Sequence, residues 1–401
     1  MQQTHTLPLA TRATDLVGSM IDSSTSLLAQ QTHDIVRFAM GSPAPEAVPT
    51  EALAEIGRRV FGPGEASAYD YAATEGDPAL RDALLAELDG TTDATSPERL
   101  TITSGGMQGL DLTFKIFTDP GDLVVVESPT YTNGSATALS YQAELLEVPV
   151  DHEGLQVDRM EEMVGDGRKP KVIYTIPTFQ NPSGASMSLD RRRRLLDLAD
   201  RWGSLVIDDD PYGMLRFAGD AMPSLHELAD GNPLVLSVRT FSKIIAPGLR
   251  VGWVDAAPEL QQLLISAKQA MDTCTNLPMQ RLVGGFLADG HLREHVTTQQ
   301  AVYRERKVAM QDALTEHFDG GARWTDPEGG FFLWVTFGSE VDTEALFEVA
   351  LAEGVAFIPG NAFSPSKHFP NALRVCFAAT TPDRIREGIG RLRRAVDKVS
   401  A

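Results

Sequence analysis

The 401-residue chain is predicted to be an α/β protein, with a mostly parallel sheet covered by helices on both faces and a smaller α+β unit after it. Three observations predict this. Short apolar runs alternate with amphipathic helical stretches from about residue 99 to residue 254. Three of those runs end on polar clusters of different kinds, which is how an open α/β sheet builds a site at its carboxyl edge. Beyond about residue 290 the alternation gives way to one long helical stretch and then closely spaced strands.

The elements follow in order. Residues 1–45, with a helical stretch ahead of VRFAMGSPAPEAVP, read as an arm or lid. Residues 46–289 hold seven strand candidates: LTIT, DLVVVE, AELLEV, KVIYTI, SLVID, PLVLSV and RVGWV. Such near-continuous apolar runs suit strands buried on both faces. Residues 290–401 form the smaller unit: a long helical stretch, FFLWVTF, a helix near Thr343 to Ala352, a short VAFI, LRVCFA and a terminal helix. Neither an internal repeat nor a low-complexity linker interrupts them.

Composition narrows the function. With 55 acidic and 35 basic side chains the formal charge is −20, which repels nucleic acid and anionic membranes, so any anionic ligand must be drawn by local cations and backbone N–H groups. The basic run Arg191 to Arg194 reads as a solvated helix face. Cys274 and Cys376 show neither a disulfide framework nor metal-ligand spacing, and no metal is expected. Without a basic n-region, a long apolar run or paired cysteines, the chain is expected to be cytoplasmic.

The segment TFSKIIAPGLRVGW carries the chemistry. Lys243 stands between hydroxyl residues, and Arg250 follows seven positions later. A lysine that joins an aldehyde cofactor as a Schiff base needs a desolvated site, with groups beside it that hold an anion without occupying the amine. Thr240, Ser242 and Arg250 suit the anion. Ser104, Gly105 and Gly106 lie between a strand and a helix, where bare N–H groups favour a phosphate. In LVIDDDPY, one of Asp208, Asp209 and Asp210 is expected to keep a pyridine nitrogen protonated. Tyr212 and Asn181 can hydrogen-bond a phenolate oxygen on such a ring, and Tyr131 can lie over it. Arg374 opens an apolar strand, where a planar guanidinium matches an α-carboxylate through two parallel hydrogen bonds.

Assembled, these motifs resemble the fold type I pyridoxal 5'-phosphate aminotransferases of class I/II, and most of all the kynurenine/2-aminoadipate branch, over nearly the whole chain. The resemblance implies a seven-stranded, mostly parallel sheet in a large cofactor-binding domain with a small α+β C-terminal domain. It implies Lys243 as Schiff-base lysine and proton shuttle, Asp209 on the pyridine nitrogen, Tyr212 and Asn181 on the ring oxygen, and Tyr131 stacked on the ring. The phosphate is then held by Gly105, Gly106, Met107, Thr240, Ser242 and Arg250, and by Tyr71 of the partner in an obligate homodimer with shared active sites. Arg374 binds the substrate carboxylate, with Asn181, Gly41 and Met40 beside the substrate.

Amino acids and 2-oxo acids are the implied substrates. Elimination, oxidation or cyclisation of an unusual amino acid is the implied alternative on the same scaffold. An effector-sensing domain of a transcription regulator is more remote, because the segment ahead of the pocket residues is short and not basic.

Three departures from the branch stand out. The phosphate turn reads Ser104-Gly105-Gly106-Met107-Gln108 where S-G-S-Q-Q is commoner, and Met40 precedes Gly41 where relatives commonly have Gly-Gly. No arginine lies between Arg12 and Arg37, so neutral, apolar or aromatic amino acids are expected over 2-aminoadipate.

Overall fold

A computed structural model describes residues 7–14, 16, 18, 32–62, 64 and 66–400. In chain order its strands are β1 (Val36–Arg37), β2 (Leu100–Thr103), β3 (Leu123–Ser128), β4 (Glu144–Asp151), β5 (Gly154–Leu155), β6 (Val172–Thr175), β7 (Leu205–Asp209), β8 (Val235–Thr240), β9 (Gly252–Asp255), β10 (Ala322–Trp324), β11 (Phe332–Phe337), β12 (Val355–Ala356), β13 (Ile358–Pro359) and β14 (Ala372–Cys376). The large sheet runs β2-β9-β8-β7-β6-β3-β4-β5. Strands β4, β3, β6, β7 and β8 are parallel, while β9 is antiparallel to both β8 and β2.

All seven expected strands are present, but the sheet has eight. The addition is β5, a two-residue strand antiparallel to β4, too short to leave a periodic apolar signal. Within the central strands successive residues go to opposite faces. Val124 and Val126 of β3, Val172 and Tyr174 of β6, and Leu205 and Ile207 of β7 join the core under the helices Gly106–Phe117 and Pro258–Gln269. Val125, Ile173 and Val206 join the core under the helix Leu189–Trp202. Two apolar faces, each covered, explain why these strands read as continuous apolar runs.

The small sheet, β10-β11-β14-β13, is antiparallel throughout. Its first strand, β10, was not anticipated, because Ala322–Trp324 is a three-residue edge with only partial burial. The helix at Thr343–Ala352 forms as expected, with the Asp342 side chain accepting from the N–H groups of Glu344 and Ala345. The run VAFI divides at Phe357: β12 pairs with β1, and β13 pairs with β14. That division carries the chain after β1 towards the large sheet, because Phe38 is bonded on both sides, to Ala356 and to Cys376. Met40, Gly41 and Ser42 follow directly. The helical stretch anticipated ahead of β1 lies outside the described residues.

The basic run is not one solvated face. Arg192 is fully buried and donates to the carbonyls of Met187, Pro223 and Pro177 and to Thr178 Oγ1. It ties the helix to the loop that follows β6, while Arg191 pairs with Asp151 and Arg194 with Glu161. Among the described residues no helix is long and apolar enough to cross a membrane.

Candidate active site

The carboxyl ends of β3, β6, β7 and β8, together with the turn after β2, converge on a cavity of about 230 Å³. From the large sheet it is lined by Gly106, Met107, Tyr131, Asn181, Asp209 and Tyr212. Thr240, Ser242, Lys243 and Arg250 close a second side, and Met40, Gly41 and Arg374 a third. Two anticipated residues stand apart. Gly105 lies behind the cavity wall against Arg250, and Tyr71 is 81% exposed on the surface of the single chain.

At one end is an anion cup. The helix Gly106–Phe117 starts after Gly105, whose φ of +76° suits glycine, and its first-turn N–H groups have no helical partners. A Cβ on Gly105 would lie 2.6 Å from Arg250 Nη2. Arg250 is itself left-handed at φ +52°, a strained backbone for a non-glycine residue. That conformation turns the guanidinium back to Ser242 Oγ at 3.4 Å and to the Ser104 carbonyl at 3.2 Å. Thr240 Oγ1 donates to Ser242 Oγ at 2.9 Å. One cation, two hydroxyls and a helix start thus share one end of the cavity.

Lys243 occupies the turn directly after β8. Its Nζ donates to the Gly41 carbonyl at 2.6 Å, and among the described residues no carboxylate pairs with it. Burial, with the positive Arg374 and Arg250 nearby, lowers its pKa to about 8.

The three aspartates separate cleanly. Asp208 is paired with the buried Arg239 at 2.8 Å, and Asp210 accepts from the N–H groups of Tyr212 and Gly213 at 3.1 and 2.6 Å. Only Asp209 lines the cavity. Tyr174 donates to its Oδ2 at 2.8 Å, yet burial outweighs that bond and pushes the carboxyl up to about 7. A buried carboxylate in this condition is stabilised by a cation placed beside it.

Arg374 is 1% exposed. It donates to Asn181 Oδ1 at 3.1 Å and to the Ala39 carbonyl at 2.6 Å, and its guanidinium carbon lies 4.2 Å from the Phe332 ring centroid and 5.1 Å from that of Phe363. Its Nε has no hydrogen-bond partner, and no carboxylate pairs with it among the described residues. A buried guanidinium without an anion calls for one from outside the chain.

Some of the site was not anticipated. Phe332, Asn133 and Ile176 also line the cavity. Tyr174 was visible as the single aromatic in the aliphatic run VIYT, the kind of residue that is buried only with a partner for its hydroxyl. Gly41 has a packing reason as well, since a Cβ there would meet the Phe332 ring at 2.9 Å.

Comparison with known proteins identifies the family. Residues 51–392 match the family model described as aminotransferase class I and II. The chain is 39% identical to aromatic-amino-acid aminotransferase 1 of Thermococcus litoralis over 367 residues, 90% of this chain and 88% of that protein. It is 40% identical to the 2-aminoadipate transaminase of Thermus thermophilus over 369 residues, 91% of each. Its fold superposes on the Pyrococcus horikoshii kynurenine aminotransferase with a TM-score of 0.91 at 36% identity, covering 98% of this chain and 97% of that one. By a match that runs through most of its length, the chain belongs to the class I and II aminotransferases, enzymes of fold type I that depend on pyridoxal phosphate.

Proposed function

We propose that this aminotransferase takes its amino group from neutral, apolar or aromatic α-amino acids and passes it to a 2-oxo acid. The observation that carries the reading is Arg374, a buried guanidinium lacking an anion, in the same cavity as the Lys243 amine. Any α-amino acid supplies a carboxylate for the first and an amine to compete with the second.

The residues fit pyridoxal phosphate on grounds of charge. The cup supplies N–H groups, hydroxyls and Arg250 for a phosphate, and Asp209 is a buried carboxylate in want of a cation such as a protonated pyridine nitrogen. When bound, the cofactor supplies an aldehyde to receive the amino group and a ring to store the electron pair left when Cα loses its proton. Lys243 would carry the cofactor and, when free of it, would move that proton through Nζ, a task suited to an amine whose pKa burial lowers to about 8 in the free protein. Asp209 holds the ring-nitrogen proton, and Tyr212 and Asn181 hydrogen-bond the ring oxygen. Tyr131 covers the ring and Arg374 fixes the substrate carboxylate.

Side-chain preference is supported by what surrounds the open part of the cavity. Met40, Met107, Leu110 and Phe332 are apolar, and the lining cations are Lys243, Arg250 and Arg374, each with a role above. Residues 13 to 36 contain neither arginine nor lysine to meet a second carboxylate, and relatives named for aromatic amino acids and kynurenine point the same way.

The working unit is read as a homodimer in which the exposed Tyr71 reaches the partner's phosphate. Residues 1–45 are read as an arm, 46–289 as the cofactor domain and 290–401 as the small domain. A reducing cytoplasm suits the two free cysteines.

A panel of amino acids added singly to the holoenzyme tests the reading. Phenylalanine, tyrosine, leucine and methionine are expected to convert the cofactor to its amino form and release one oxo acid per site, with 2-aminoadipate at least about tenfold slower for want of a charge partner. Preference for 2-aminoadipate would overturn the substrate reading, and multiple turnovers to ammonia without an acceptor would mark a lyase.

The cup makes a separate demand. Gly105→Ala is expected to weaken pyridoxal phosphate binding by about tenfold, as a displaced Arg250 loses a charge-assisted contact. Titration of the apoenzyme measures it, and an unchanged Kd would contradict the role given to Arg250.

A further inference from the structure

The Ser104–Gln108 turn gives a phosphate few side-chain donors, since Gly105, Gly106 and Met107 carry none. The turn's own hold on an anion therefore depends on backbone N–H groups, aided from across the cup by Arg250 and the Thr240 and Ser242 hydroxyls, and a stray negative charge behind it weighs heavily. Such a charge is present. Asp272 Oδ2 accepts from Ser104 Oγ at 3.0 Å and from Gln108 Nε2 at 2.7 Å, which sets a carboxylate against the back of the cup.

Lys268 answers it. This lysine, on the helix Pro258–Gln269, is fully buried, an uncommon state for a residue whose charge loses water on burial. Its Nζ lies 2.8 and 2.9 Å from the two Asp272 oxygens, 2.8 Å from Gln108 Oε1 and 3.0 Å from Thr275 Oγ1. Gln108 Oε1 also accepts from the Ser104 N–H at 2.8 Å, and Thr275 Oγ1 donates to the Ile102 carbonyl at 3.3 Å. One ammonium thus reaches both the strand that enters the cup and the helix that leaves it.

We propose that Lys268 is a positioning residue for cofactor binding: it neutralises Asp272 behind the phosphate cup, so that Asp272 can anchor Ser104 and Gln108 without repelling the phosphate. Burial works against the charge of Asp272, but the hydrogen bonds from Lys268, Gln108 and Ser104 overcome it and hold the carboxyl below its ordinary range. Remove the ammonium, and a carboxylate within hydrogen-bonding distance of the cup faces the incoming dianion alone. The inference rests on the reading of this turn as the phosphate seat.

A double-mutant cycle on apoenzyme tests it, with Kd for pyridoxal phosphate from titration and Kd for inorganic phosphate from calorimetry. Lys268→Met is expected to raise both constants by roughly 10- to 100-fold, the scale of an uncompensated, partly screened carboxylate behind the cup. Asp272→Asn alone, which leaves the ammonium behind the cup, is expected to leave both constants unchanged or lower them, and Lys268→Met with Asp272→Asn to return within about threefold of wild type.

A purely structural lysine predicts another pattern, in which both single variants weaken binding alike and the double variant is no better. That pattern overturns the proposal. Should Lys268→Met fail to fold, the double variant decides, and a loss of about tenfold or more there overturns it. Should the double variant also fail to fold, Asp272→Asn decides by the same criterion. Wild-type apoenzyme that binds neither ligand would refute the phosphate seat itself, whereas normal wild-type binding with Lys268→Met unaltered would refute the role of Lys268 alone.

Discussion

Lys243→Ala is expected to leave a folded protein whose transamination falls by more than about 10⁴-fold, since one change removes both the covalent attachment and the proton carrier. Thermal melting of the apoenzyme should change little, because Nζ makes one hydrogen bond, to Gly41, and forms no ion pair among the described residues. A pH dependence accompanies this. Burial first, and then Arg374 and Arg250, lower the Lys243 pKa to about 8, and a lowered amine pKa enlarges the unprotonated, nucleophilic fraction at any pH below it.

At pH 7 about one molecule in ten then carries free amine, against roughly one in 2,500 for a lysine of ordinary pKa. The rate at which apoenzyme takes up pyridoxal phosphate covalently should therefore climb through a midpoint near pH 8 and flatten above it. A rate still rising steeply between pH 9 and pH 10 would contradict the desolvated setting. Normal turnover by the alanine variant would contradict the whole mechanism.

Arg374→Met is expected to lower kcat/KM for α-amino acids by about 10² to 10³-fold, the effect of removing one member of a buried, hydrogen-bonded charge pair. Affinity for pyridoxal phosphate should hold, and amines without a carboxylate should react about as well with the variant as with wild type. The apoenzyme makes the opposite prediction for stability. A guanidinium buried without an anion destabilises the free protein, so methionine, which can still pack between Phe332 and Phe363, should leave the melting temperature unchanged or raise it. Arg374→Lys should rescue little, because an ammonium lacks the planar fork that reaches Asn181 and the substrate together. A variant equally impaired towards amines with and without a carboxylate would show that Arg374 only packs.

Much of this was legible in the chain. The parallel strands announce themselves because both faces are buried, so each is apolar without interruption, and the residues after them are conspicuous for being polar. That contrast exposed Asn181, Asp208 to Asp210, and Lys243. It did not distinguish Asp209 from its two neighbours, because the choice depends on Arg239 and on the turn at Gly213, both set by tertiary packing.

Two-residue strands such as β1 and β5 escaped because period-2 alternation needs more residues than they have. Arg192 was misread because a run of four arginines on a helix has one member that must face inward, and here carbonyls lie in wait for it. Lys268 and Asp272 carry no signal in the sequence beyond the i,i+4 spacing common to surface ion pairs. Only the packing of the helix Pro258–Gln269 reveals Lys268 as buried, with Asp272 just beyond the helix end against Ser104 and Gln108.

The central claim is that one lysine, Lys243, bears the cofactor. Reduction of the holoenzyme with borohydride, followed by proteolysis and mass spectrometry, measures this directly. Pyridoxyl phosphate fixed on the peptide containing Lys243, and absent from Lys268 and every other lysine, is the expected result. Stoichiometric label on a different lysine, or none on protein that has been supplied with the cofactor, would contradict the account.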